Sequence, residues 1–231
     1  MRTAAVALVV LTVLCAVAAQ VPRTELEPSR IYTSVPTVSF SCNLEGGQPS
    51  YYSISSDPTG TAAYRSNGTI NPGVEGVPFI EKFVISPATA GRVFDLAKRL
   101  HWFKGDFDYH KGRVANTGIK TLYYTDEKTV NWTTYNYSSN VAVQELTRVF
   151  QGISTTMEFG RRLEYFYAHQ KLGLDEELKR MDQMAQEGEL EEIQAVGPIL
   201  QKIAHDPEAM HIDQEHARHL LQLASGSPHK R

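Results

Sequence analysis

The chain has 231 residues, 42% of them hydrophobic, and its 23 Lys and Arg are nearly balanced by 26 Asp and Glu. The resulting net charge of −3 gives no electrostatic reason to bind nucleic acid or an anionic lipid surface. The length fits one large domain or two small ones, with enough apolar content for a hydrophobic core.

The N-terminus has the pattern of a secretory leader. Arg2 precedes a run that is apolar except for Thr12, AAVALVVLTVL, and small residues follow in CAVAAQ. This order predicts a signal peptide over residues 1–19, cut between Ala19 and Gln20. The apolar run is shorter than the about 20 residues of a spanning helix. No later segment is apolar enough to span a membrane, so we expect no integral membrane segment after signal removal.

Cysteine usage indicates the compartment. An alternative interpretation of the leader, a lipoprotein signal at Cys15, requires a small residue where the sequence has Leu14. After cleavage only Cys42 remains, so no intrachain disulfide can form. Disulfide-free exported proteins are common in bacterial envelopes. We expect an exported protein, periplasmic or secreted, most readily in a bacterial envelope.

The first half of the chain has the two-residue period of β-strands. In TVSFSCNL, apolar and polar residues alternate, and Cys42 falls on the apolar face, as a core residue rather than a reactive thiol. Further strands are expected at YYSISS and TAAYRS, around the turn DPTG, and at PFIEKFVIS. The alternation favours an antiparallel sheet with one face covered by helix.

A helix and a hairpin follow these strands. Ser86 and Pro87 are typical of an N-cap and a first helical residue, and Gly105 is expected to end the helix. The segments IKTLYYT and TVNWTTYNY are rich in β-branched and aromatic residues, which favour strands. They predict an antiparallel hairpin.

The second half has a helical period. One long helix is expected from Asn140 to Lys171, bent or broken at Gly152 or Gly160. Three shorter helices should follow. The first is expected to be capped by Asp175, and the last is expected to begin in the segment DPEA.

These elements predict an α+β fold, in which an antiparallel sheet packed by a helix precedes an all-helical C-terminal bundle or hairpin. The change of period also predicts the organisation of the chain. Its parts are a signal peptide (1–19), an extended linker (20–36), an α+β domain (37–138), a helical domain (139–225) and a disordered tail (226–231).

The segment HWFKGDFDYHKGRVANTG concentrates ionisable side chains. Nitrogen and carboxylate ligands for a metal are available at His101, Asp106, Asp108 and His110. Their spacing matches no known metal motif. We interpret the segment as a solvated loop, and a metal-dependent hydrolase that uses residues 101–110 is the alternative.

Other chemical motifs are weak or missing. His216 and His219 are neighbours on a predicted helix, but no third metal ligand is evident. The sequence has neither a G-x-S-x-G turn nor the glycine spacings that bind phosphate. No catalytic residue, metal ligand or cofactor is therefore assigned.

The aromatic hairpin is the preferred contact surface. One of its faces is expected to pack on a helix, and the other to expose tyrosines beside Trp132, Lys120 and Lys128. The candidate contacts for a protein partner or a small ligand are Trp132, Tyr135, Tyr137 and Tyr124.

One resemblance accompanies this interpretation. The order YYSISSDPTGTAAY, FVISPATAGRVFDLAKRL and TGIKTLYYTDEKTVNW, within residues 37–137, resembles small exported bacterial modules of unknown function. A similar order occurs in small bacterial protease-inhibitor modules, which implies inhibition as one possibility. The expected function is non-catalytic binding of a partner or ligand through the aromatic sheet face or a helical surface.

Overall fold

The computed structural model describes residues 32–70 and 78–226. The signal peptide with its cleavage site at Ala19 and Gln20, most of the linker, and nearly all of the predicted tail lie outside the described residues. Six strands are described: Thr37–Asn43 (β1), Tyr51–Ser56 (β2), Thr61–Ser66 (β3), Phe79–Val84 (β4), Ile119–Thr125 (β5) and Val130–Tyr135 (β6). The α-helices are Pro87–Arg99 (α1), Val141–His169 (α2), Leu174–Gln186 (α3), Gly197–His205 (α4) and His211–Ala224 (α5).

The six strands form one antiparallel sheet in the order β4-β3-β2-β1-β5-β6. The predicted strands and the α+β class are confirmed. Because each register aligns directly opposed residues, side chains form rows across the sheet. One row on the inner face joins Tyr52, Cys42, Lys120 and Tyr135.

Helix α2 covers the inner face of the sheet. Val38, Phe40 and Cys42 alternate inward along β1, as predicted, and are almost completely buried. The Phe40 ring stacks on Phe150 of α2, with ring centroids 5.3 Å apart. The intervening serines stay partly exposed on the outer face. A sheet with one covered face explains the strict alternation of the sequence.

The predicted long helix is confirmed as α2, which runs without interruption through Gly152 and Gly160. These glycines do not bend the helix; they let neighbouring residues pack closely against it. A Cβ atom on Gly160 would lie 3.0 Å from the Val196 Cβ and still nearer its Cγ1. The absent side chain therefore lets the 3₁₀ turn Ile193–Val196 pack directly on α2.

Two helix starts differ from the prediction. The 3₁₀ turn Lys171–Gly173 continues directly into α3, so Gly173 is the N-cap and Asp175 lies inside the first turn. There its charge still favours the positive end of the helix. The DPEA segment at 206–209 forms a turn before α5, because the Asp206 carboxylate accepts a hydrogen bond from the Glu208 amide at 2.9 Å.

Helix α1 begins as predicted but ends early. The Ser86 hydroxyl accepts a hydrogen bond from the Thr89 amide at 3.2 Å, which caps the helix. Its last residue is Arg99, well before Gly105, because His101 to Phe103 form a left-handed turn with φ of 52°, 56° and 63°. Such a turn costs about 1–2 kcal/mol per residue. Complete burial of Phe103 offsets part of this cost.

A single cluster of buried side chains runs from the sheet through α2 into α3, α4 and α5. The helical half therefore shares the core of the sheet half. Helices α4 and α5 form the predicted terminal hairpin. Within residues 32–70 and 78–226, no helix is both long and apolar enough to span a membrane.

Candidate functional site: a pocket between β6 and α2

A pocket of about 390 Å³ lies where β6 ends and α2 begins. This volume is in the range of pockets that hold small molecules. Its walls come from the end of β6 and the start of α2, which a short connection joins, and from the start of β5. The lining residues are Thr117, Lys120, Tyr135, Asn136, Tyr137, Ser138, Val143, Gln144, Thr147, Arg148 and Gln151.

Lys120 anchors one side of the pocket. Its position in β5 directs the side chain to the inner face, where the residue is 4% exposed. The ammonium nitrogen donates hydrogen bonds to the carbonyl oxygens of Thr117, Gly118 and Asn136 at 2.9–3.1 Å, and to the Thr117 hydroxyl at 2.9 Å. The charge is thus solvated by backbone dipoles.

No carboxylate of the described ranges forms an ion pair with Lys120. Burial consequently lowers the pKa of its ammonium group, because the charged form loses its hydration. The same row of the sheet places Cys42 next to it, and burial raises the pKa of that thiol, opposed by the nearby Lys120 charge. A protonated thiol is a poor nucleophile.

Tyr135 connects the sheet to the helix at the pocket wall. The Thr147 hydroxyl donates to the Val143 carbonyl at 2.7 Å, so the Tyr135 hydroxyl donates to Thr147, at 2.6 Å. Burial raises the pKa of the Tyr135 phenol. The wall is therefore a fixed hydrogen-bonded contact between β6 and the second turn of α2.

The rim is shaped by the segment after β6. Tyr137 is 40% exposed, and its ring packs edge-to-face against Tyr109 with centroids 5.7 Å apart. The backbone amides of Asn136 and Tyr137 donate hydrogen bonds to one Asp108 carboxylate oxygen at 3.0 and 3.4 Å. The Asn136 side chain in turn accepts from the Thr117 amide at 2.8 Å. Asp108 thus positions the rim rather than the pocket contents.

The pocket has a positive electrostatic character. Among residues 32–70 and 78–226, its lining contains two cationic side chains, Lys120 and Arg148, and no aspartate, glutamate, histidine or cysteine. It also includes Gln144 and Thr147 from the first turns of α2, whose first turn carries no acidic residue. The amino-terminal end of a 29-residue helix adds a partial positive charge.

The four predicted contact residues lie in three places. Tyr135 and Tyr137 both line the pocket. Tyr124 is 5% exposed and stacks on Trp102, with centroids 4.4 Å apart. Trp132 lies on the outer face of the sheet and is half-buried. Its ring stacks on Tyr123 with ring centroids 6.5 Å apart. The four residues therefore do not form one surface.

The expectation that Lys120 is exposed beside Trp132 is wrong. In β5, Lys120 shares its face with the buried Leu122, while Trp132 in β6 opposes Tyr123 on the other face. The sequence contained the signal for this, because Lys120 and Leu122 are two residues apart in a strand.

The 101–110 loop brings His110 near two other candidate ligands, Asp106 and, with 3.9 Å between His110 Nδ1 and Asp108 Oδ2, Asp108. The His110 ring and the Asp106 carboxylate are 2.8 Å apart, and both side chains are 67% exposed. Asp106 raises the pKa of His110, and the Asp108 amide with His110 lowers the pKa of Asp106. His101 lies in the left-handed turn. No group of three possible metal ligands occurs in the part of the chain that the structure describes.

The second histidine pair contacts one carboxylate. Asp182 of α3 is 6% exposed, and its two oxygens lie 2.8 Å from His216 Nδ1 and 2.6 Å from His219 Nδ1. Both histidines are on α5, so this arrangement ties α5 to α3. The role of Asp182 was not evident from sequence because it lies 34 residues before His216.

A second polar cluster joins the sheet to α2, further along that helix than the pocket. The Tyr64 hydroxyl donates to Glu158 at 2.9 Å, and the Ser66 hydroxyl donates to the same oxygen at 2.5 Å. Arg161 donates to the Gly68 carbonyl at 2.7 Å. All these groups have partners, so the cluster joins sheet to helix without leaving a polar group open to a ligand.

Comparison with known proteins adds no assignment to this geometry: no protein-family model matches the chain, and no curated protein matches its sequence.

Proposed function

We propose that the protein is an exported, non-catalytic binding protein that holds a small ligand in the pocket between β6 and α2. The observation that carries the proposal is the pocket itself, with a volume of about 390 Å³ and a wall and rim made by Tyr135 and Tyr137. Aromatic walls with a few polar groups are typical of ligand sites.

The lining supports binding rather than chemistry. In the part of the chain that the structure describes, it holds no carboxylate, imidazole or thiol that would act as a general acid, base or nucleophile. The Lys120 ammonium donates to four oxygen acceptors and has no N–H left to offer a substrate. The alternative hydrolase at residues 101–110 has the Asp106–His110 contact as its support, which falls short of a catalytic metal site.

Amide chemical shifts measured during titration with a library of small polar compounds test the binding site. We expect saturable shifts to cluster at residues 135–138 and 143–151. Tyr137→Ala should weaken binding about tenfold, or about 1.4 kcal/mol, by removing a rim contact. Tyr51→Ala is the matched control, because Tyr51 is similarly exposed, at 37%, on the outer face.

The outer face is tested by Trp132→Ala in the same titration. Binding that is retained in Trp132→Ala and weakened in Tyr137→Ala supports the pocket. Binding that is lost in Trp132→Ala alone would move the site to the outer sheet face and contradict the proposal. The two variants separate the surfaces, because Trp132 lies on the outer face of the hairpin and Tyr137 lines the pocket after β6.

Export rests on the leader pattern at residues 1–19. N-terminal sequencing of the protein recovered outside the cytoplasm should give Gln20 as the first residue. A protein that remains in the cytoplasm with its leader attached would contradict export, and it would leave the pocket titration unaffected.

A further inference from the structure

We infer that the ligand of the β6–α2 pocket is a small organic anion that carries a carboxylate or a phosphate. The inference rests on the proposed function, because it names the chemical class of ligand for the same pocket. Its basis is the placement of three separate sources of positive potential around one cavity: a buried ammonium, an exposed guanidinium and a helix terminus.

The buried ammonium is the first source. Lys120 is 4% exposed, and its hydrogen-bond partners are neutral oxygens. Neutral dipoles stabilise a buried charge but do not cancel its long-range potential. The Asp108 carboxylate, near the rim, accepts hydrogen bonds from the backbone amides of Asn136 and Tyr137 and does not line the pocket. An anion in the pocket would supply the missing countercharge.

Arg148 is the second source and the group that can contact the ligand directly. It lines the pocket from α2, and its side chain is exposed, so the planar guanidinium is able to turn toward a bound group. A guanidinium matches the two oxygens of a carboxylate or phosphate with paired hydrogen bonds.

The helix terminus is the third source. Asn140 caps α2, its side-chain oxygen accepting from the Ala142 and Val143 amides, and no acidic residue follows in the first turn. An acid in that turn would have compensated the helix dipole, as it commonly does. Here the positive end of α2 remains uncompensated beside Val143 and Gln144, which line the cavity. The chain as a whole has a net charge of −3, whereas the charged side chains that line this pocket are both cationic.

Benzoate and benzamide test the inference, since they have nearly the same shape and differ in charge, and phenyl phosphate represents the phosphate source. Binding is measured on the full mature chain from the amide shifts of Tyr137, Gln144 and Thr147. We expect benzoate, phenyl phosphate or both to bind saturably and benzamide to bind at least about tenfold more weakly. Comparison of the two anions identifies which head group is preferred.

Arg148→Glu reverses the charge at the rim and should abolish anion binding. Lys179→Glu makes the same charge change on an exposed position of α3 and should leave binding intact. Benzamide that binds as tightly as benzoate, or benzoate that still binds Arg148→Glu, would overturn the anion inference while the pocket remained a ligand site. If none of the three probes shifts pocket residues, both the inference and the proposed function fail.

Discussion

The Lys120 ammonium donates a hydrogen bond to the Asn136 carbonyl at 2.9 Å and thereby ties β5 to the residue that follows β6. The same ammonium also holds the Thr117 and Gly118 carbonyls, before β5 begins. One buried side chain thus joins two backbone segments at the pocket, the one before β5 and the one after β6. Its structural role and its charge are separate properties, which different substitutions distinguish.

Lys120→Met should destabilise the protein by about 1–3 kcal/mol, because buried carbonyls lose their donor while the aliphatic volume is kept. Chemical denaturation measures the change. Lys128→Met, at an exposed turn position, is the control and should stay within about 0.5 kcal/mol of the parent. A Lys120→Met variant as stable as the parent would show that the backbone carbonyls are satisfied without the ammonium.

Gly160→Ala should cost about 1–3 kcal/mol, because the added Cβ would overlap the Val196 side chain and push the 3₁₀ turn away from α2. Gly91→Ala in α1 is the matched control, since a Cβ there meets nothing within 4 Å. It should stabilise the protein by about 0.5–1 kcal/mol. Equal effects of the two substitutions in urea denaturation would contradict the close approach at Gly160.

Alkaline pH should unfold the protein through its buried tyrosines. Burial raises the pKa of Tyr64, with the Glu158 charge adding to it, and burial also raises the pKa of Tyr135. The pKa of each of these tyrosines is higher in the folded than in the unfolded protein. Its contribution to the free energy of unfolding is therefore complete below pH 10 and is lost as pH rises. Above pH 10, each such tyrosine lowers the free energy of unfolding by about 1.4 kcal/mol per pH unit.

Phenolate absorbance and circular dichroism, followed together with rising pH, check this loss. The phenolates of the buried tyrosines, which form at the highest pH, should appear together with the loss of secondary structure. Tyr64→Phe removes one of the titrating groups and should make the decline in stability less steep, whereas Tyr51→Phe should not. Ionisation of all tyrosines while the fold persists would be inconsistent with burial of the Tyr64 and Tyr135 hydroxyls.

Asp213 carries a cost that asparagine should relieve. The residue is 1% exposed, and one of its carboxylate oxygens has no hydrogen-bond partner among the described residues. Burial, and then the charge of Asp175, raise the pKa of Asp213. A raised folded pKa means that the contribution of this group to stability is fully present below the unfolded pKa and declines as pH rises through the folded pKa.

Asp213→Asn should therefore stabilise the protein at neutral pH by about 1 kcal/mol and lose this advantage in acid, where the aspartate is already neutral. Denaturation at several pH values measures the difference. Asp95→Asn, at an exposed position of α1, should show no such pH-dependent gain. A loss of stability at neutral pH would mean that the Asp213 charge is compensated.

The elements with a clear period were predictable. The alternation in β1 correctly placed Cys42 in the core, and the apolar stripe correctly gave α2. Helix ends were less predictable because they depend on neighbours. Phe103 is buried in the core because His101 to Phe103 adopt a left-handed turn, a conformation that non-glycine residues disfavour. The resemblance to exported bacterial modules stays a prediction.

The sequence by itself determined the class of fold, since a two-residue period followed by a helical period dictates which faces are apolar. It also supplied the tyrosines of the pocket. Only the tertiary structure decided that Tyr135 and Tyr137 meet α2 while Trp132 turns away, because strand pairing assigns each side chain to a face. The burial of Lys120 likewise depends on the Asn136 carbonyl after β6, which strand pairing brings next to the neighbouring Thr117 and Gly118 carbonyls.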